Sequence, residues 1–238
     1  MKILPYLLVV TLLFCGCKGM STMPTAMQLS KSRAQSKNSC SAEARKSLLH
    51  IETGDLLFVG LPMNYHSGDN APSVCDGDTN FIHTAILDVD SRGKIWIIDA
   101  TFKRGVARYP LDTFLVDFTL SGGGYPFFEV MRLKDNSHAA QYVANAMRYV
   151  GEEYDVSFLP DNGRHYCTEL IYDAYIDDTV HHFVMGPMDF KNRAGEFPAY
   201  WVKRFGYTHS PIPQGLPGTT PQEMRQSPNL KKVEFNLK

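Results

Sequence analysis

The sequence predicts an α+β domain built on an antiparallel sheet, and three observations carry that prediction. Short apolar runs and a hairpin pattern fill the first half of the domain, helical spacing dominates after Asn136, and strands cluster rather than alternate with helices. The length of 238 residues suits one domain with an ample core. Hydrophobic residues at 44% and charged residues at 21% exclude a disordered chain or a coiled coil. A net charge of −1 lacks the basic face that a nucleic-acid partner requires, so none is expected. Five scattered cysteines make neither a disulfide scaffold nor a multi-cysteine zinc module.

The elements follow in order. Residues 1–17 read as a signal peptide: Lys2 precedes an apolar run from Ile3 to Phe14, too short to span a bilayer. The run ends in Phe14-Cys15-Gly16-Cys17, and a small residue before a cysteine resembles a bacterial lipobox, with Cys17 the acylated residue. A plain secretory signal is the alternative. Residues 18–40, rich in Ser, Thr, Met, Lys and Gln, read as a flexible tether, and 41–238 as one domain ending in an extended tail. Ser41 caps a possible short helix to His50. Leu56-Leu57-Phe58-Val59 suits a buried strand, and a turn-rich loop follows from Pro62 to Asn80. Thr84–Asp90 and Lys94–Asp99 flank Ser91-Arg92-Gly93 as a hairpin. Val106–Tyr109 adds a strand, Leu111–Phe118 a short helix after Pro110, and Pro126–Leu133 another strand. Ala139, Val143, Ala146, Met147 and Val150 place a helix over 136–150, and Leu170, Ile171 and Ala174 a second over 166–176. After Pro211 the chain reads as an extended tail.

The chemistry centres on Cys167, at the start of the second helix. Helix N-termini favour negative charge, so a thiol there tends toward thiolate, and such a nucleophile needs a base and an orienting group. His83 opens one strand of the hairpin and Asp99 closes the other, which brings the two near each other across the ladder. Taken alone, each residue has a plain structural alternative: a small buried hydrophobe, a half-buried turn histidine, a strand-end cap.

The ordered set Gly54-Asp55-Leu-Leu-Phe58, Phe81-Ile-His83-Thr-Ala-Ile86, Asp99-Ala100, Gly151-x-x-Tyr154-Asp155 and Tyr166-Cys167-Thr-Glu169-Leu170 changes that balance. It resembles the permuted branch of the NlpC-type papain-like hydrolases, the YiiX-like group, related to lecithin retinol acyltransferase-like enzymes. The resemblance spans roughly Leu49 to Asp189. It implies a permuted papain-like fold, in which the histidine strand precedes the cysteine helix. It also implies Cys167 as nucleophile, His83 as base and Tyr154 as an oxyanion or substrate-binding donor. Asp99 stands where that group carries an acidic third residue, usually Glu.

The implied function is a cell-envelope thiol hydrolase, membrane-anchored through lipid on Cys17. It would cleave an amide in a peptidoglycan stem peptide or in an N-acylated, lipid-like molecule. A catalytically idle envelope binding module and an acyltransferase using the same residues are the other readings. No cofactor is expected, and no metal: His181-His182 in a strand would point to opposite faces, and Asp69, Asp76 and Asp78 lack the alternation of a calcium loop. A disulfide between Cys40 and Cys75 is open. His165 is expected to be exposed, and Glu169 to be structural, as a partner for a cap or for Arg164.

Overall fold

Leu56, Leu57, Phe58 and Val59 are all fully buried, although successive side chains of a strand point to opposite faces. Both faces of their sheet must therefore be covered, which is why the run is apolar without alternation. The structure, a computed structural model, describes residues 50–62, 79–192 and 194–235, all within one unit, Ala42–Lys238. The expected signal peptide, tether and Ser41 helix, Cys40, Cys75 and the aspartates of the long loop lie outside the described residues.

The strands are β1 (Asp55–Pro62), β2 (Thr79–Val89), β3 (Ile95–Thr101), β4 (Gly105–Pro110), β5 (Phe127–Leu133) and, near the C-terminus, β10 (Leu230–Val233). They form one sheet in the order β10-β5-β1-β2-β3-β4, antiparallel throughout. Its helices are α1 (Leu111–Asp117), α2 (Ala139–Met147), α3 (Cys167–Ala174), α4 (Ala199–Thr208) and α5 (Pro221–Arg225). Two small ladders, β6 (Ile176–Asp177) with β7 (Val180–His181) and β8 (Gly186–Pro187) with β9 (Pro217–Gly218), tie down the connections.

One core lies where Leu56, Phe58, Ile86 and Ile98 meet α2, α3 and α5 through Tyr142, Leu170, Ile171 and Met224. The opposite face, with Leu57, Val59, Leu87 and Ile97, is covered by Leu111 and Phe114 of α1. A third cluster gathers Met188, Phe190 and Phe205 with Phe158 and Trp201 around α4.

The sheet and the first three helices stand where the sequence places them, but α2 is shorter than 136–150. Asn136 donates its side-chain amide to the Thr53 carbonyl at 3.2 Å, and Ser137 N–H donates to Asp135 Oδ1, so neither caps the helix. At the other end the bonds tighten to i→i+3 before Gly151 turns the chain at φ 105°. The C-terminal segment is not simply an extended tail, since β10 joins the sheet edge and α5 carries a full capping box between Thr220 and Glu223. Thr220→Ala should lower stability by about 1 kcal/mol, read as a shift in the denaturant midpoint.

Candidate active site

His83 lies within β2, paired to Val59 of β1, and Asp99 lies near the end of β3. The β2–β3 register ends at Ile86↔Ile98, so one step further Asp99 would oppose Ala85. His83 is thus a diagonal neighbour on the same face rather than a directly opposed residue. That spacing is within reach of the two side chains.

The His83 imidazole is buried, stacked on Phe118 at 5.1 Å between ring centroids, with Phe114 behind at 6.2 Å. Its Nε2–H donates to Asp99 Oδ2 at 2.8 Å. The same oxygen accepts from the Tyr109 hydroxyl at 2.9 Å, while Asp99 Oδ1 is buried with no partner among the described residues. Nε2 being occupied, Nδ1 is the ring nitrogen left to face Cys167. Cys167 is the one cysteine among the described residues, a free and buried thiol at the first position of α3. Cys167, His83 and Asp99 therefore converge in space from β2, β3 and α3.

Burial, the strongest influence on His83, opposes its charge, but the hydrogen bonds and charges of Asp99 and Cys167 outweigh it and hold the imidazole at about 10. The raised value also makes stability depend on pH. Its contribution is complete below the unfolded histidine value of about 6.5 and is lost as pH rises through the folded one. Denaturant midpoints should therefore fall between about pH 6.5 and pH 10, and His83→Gln should flatten that slope.

Tyr154 belongs to a segment bridged to the chain just before α3: it pairs with His165, and Asp155 N–H donates to the His165 carbonyl at 3.0 Å. Burial, then the nearby charge of Cys167, pushes its hydroxyl up, so it stays a proton donor beside the thiol.

One neighbour differs from expectation. His165 is buried, not exposed, because Glu152 and Asp173 hold its two nitrogens at 2.7 and 3.0 Å and Tyr149 packs on its ring. Of the two structural roles expected for Glu169, the cap is the one taken, and Arg164 pairs with Glu153 instead. The Glu169 carboxylate is buried, reaches back to the backbone N–H of Tyr166 and is pushed by burial to about 8. His181 and His182 do part ways: the first stacks on Tyr172 at 3.9 Å, the second bonds Asp177 and Tyr142.

Tyr109 was not singled out by the sequence reading. The signal was its place in β4, two residues from Ala107, the residue that opposes Asp99.

The sequence model of the permuted papain-like amidases, the YaeF/YiiX or C92 family, matches residues 50–234. The chain belongs to this family. Its members are papain-like cysteine amidases, so the protein is a cysteine hydrolase. Among solved structures it is similar to one described as metalloprotein yiiX from Escherichia coli O157:H7. That match has 21% identity and a TM-score of 0.59, over 79% of this chain and 98% of the other. The likeness supports the permuted papain-like α+β fold. No curated protein matches. Among the described residues no group of three or more His, Cys, Asp or Glu is placed to hold a metal ion.

Proposed function

We propose that the protein hydrolyses an amide at the cell envelope, in a peptidoglycan stem peptide or an N-acylated, lipid-like molecule, with Cys167, His83 and Asp99 as the working residues. The observation that carries this reading is the buried imidazole of His83, bonded to Asp99 Oδ2 at 2.8 Å and close enough to Cys167 to feel its charge. The Cys167 thiolate attacks the amide carbonyl carbon. The resulting oxyanion is held by the backbone N–H of Cys167 and the Tyr154 hydroxyl. His83 gives its proton to the leaving nitrogen, the C–N bond breaks, and a thioester to Cys167 remains. His83 then takes a proton from water, whose oxygen displaces the thiolate and releases a carboxylic acid. Asp99, fixed by Tyr109, keeps the imidazole in one tautomer throughout.

Intact-mass analysis with a panel of thiol-directed acyl probes tests the reading. A single adduct on the wild type, absent from Cys167→Ala, is the expected result. Equal labelling of both proteins, or of neither, would leave the idle binding module in its place.

Membrane anchoring is part of the proposal and rests on Gly16-Cys17 after the short apolar run. Mass spectrometry of the mature N-terminus should find lipid on Cys17, and a free N-terminus beyond it would refute the anchor.

A further inference from the structure

Arg204, on α4, is half-buried, and its Nε is buried with no hydrogen-bond acceptor. Arg104, Arg108, Arg132, Arg164 and Arg225 each meet a carboxylate. Arg92 and Arg148 are exposed. Arg204 is thus the half-buried arginine that lacks a carboxylate partner among the described residues. A guanidinium cannot shed its proton, so burying one without an anion is costly unless something else supplies the charge.

Its surroundings lead to the thiol. The guanidinium carbon lies 5.7 Å from the centroid of the Phe158 ring. That ring in turn meets Tyr154 at 6.4 Å and Tyr166, the residue before Cys167, at 5.0 Å. Tyr154 feels the charges of both Cys167 and Arg204. Phe158 is held in the left-handed region at φ 52°, a strained backbone for a bulky residue. The buried Asp155 carboxylate fixes that turn by accepting from Ser157 N–H at 2.8 Å and Leu159 N–H at 2.9 Å.

We infer that Arg204 binds a carboxylate carried by the substrate close to the scissile amide, so that the enzyme prefers amides of the acyl-amino-acid or peptide-terminus class over neutral amides. One unpaired guanidinium matches one carboxylate in charge and in its forked geometry. The inference rests on the proposed role of Cys167 and deepens it.

The test alkylates Cys167 with N-iodoacetylglycine and with its carboxamide, and again with the pair one glycine longer, so that the carboxylate is offered at two distances. The wild type should prefer the carboxylate reagent of at least one pair. Arg204→Met, which keeps the packing on Phe158, should lower that preference about tenfold, as expected for loss of a charge-assisted hydrogen bond. Arg204→Lys should restore part of it. Lys203→Gln removes an exposed charge from the same helix and should leave it unchanged. An unchanged preference in Arg204→Met with rapid carboxamide labelling would overturn the inference and leave the hydrolase reading standing. A stronger preference for N-iodoacetyl-phosphoethanolamine would overturn it in favour of a phosphate headgroup. Labelling by the carboxamides no faster than that of N-acetylcysteine would overturn the hydrolase reading, and this inference with it.

Discussion

His83→Ala should lower amide hydrolysis by about 10⁴- to 10⁶-fold, because the imidazole serves both halves of the reaction and no other base stands beside the thiol in the site described. It is bonded to Asp99 through one nitrogen and interacts with Cys167, so its loss leaves the thiol without its activating charge. Asp99→Asn keeps the shape but offers the imidazole the wrong partner, and should cost about 10²- to 10⁴-fold. Tyr109→Phe removes one of two hydrogen bonds to Asp99 Oδ2, and about tenfold or less is expected. These losses should not add: the double variant His83→Ala/Cys167→Ala should be no slower than the worse single one. Turnover of one amide substrate across the set checks all four expectations.

The second large effect concerns folding. The Asp55 side chain is fully buried, and the Arg132 fork grips it at 2.6 Å through Nε and 2.9 Å through Nη2. Asp55 also accepts the Glu52 backbone N–H at 2.9 Å, and Arg132 donates to the His50 carbonyl at 2.6 Å. The pair thereby locks the start of β1 to β5. Asp55→Ala leaves a mostly buried guanidinium with only the exposed Glu52 carboxylate as counter-charge, and should destabilise the protein by about 3 kcal/mol. Asp55→Leu with Arg132→Met should recover much of that, since a packed apolar pair carries no desolvation cost. Denaturant midpoints of the single and double variants measure both.

How far the sequence could be read follows from where each signal resides. β1 to β3 were legible because Leu56–Val59 is apolar without a break and the Ser91-Arg92-Gly93 turn is flanked by strand residues. Cys167, His83 and Asp99 were legible because turns and caps fix their places, and the ordered motifs supplied the rest. β10 was hidden because its four residues bury only Leu230 and Val233, which breaks the period of two. α4 and Arg204 were missed for another reason. Trp201 and Phe205 pack against Phe158, which comes from a strained turn some forty residues earlier, and no local pattern announces such a meeting. His165 was misplaced for the same cause: its partners Glu152 and Asp173 lie 13 residues before and 8 after it, and only folding makes them neighbours.

The central claim is that His83, held by Asp99, keeps Cys167 reactive at a pH where an ordinary thiol is silent. The rate of Cys167 alkylation by iodoacetamide, followed from about pH 5 to pH 10, tests it directly. We expect the wild type at about pH 6 to react well above N-acetylcysteine, and His83→Ala to fall back to the profile of a free thiol, with its midpoint near 8.5. A wild-type profile that already follows the free thiol would contradict the account.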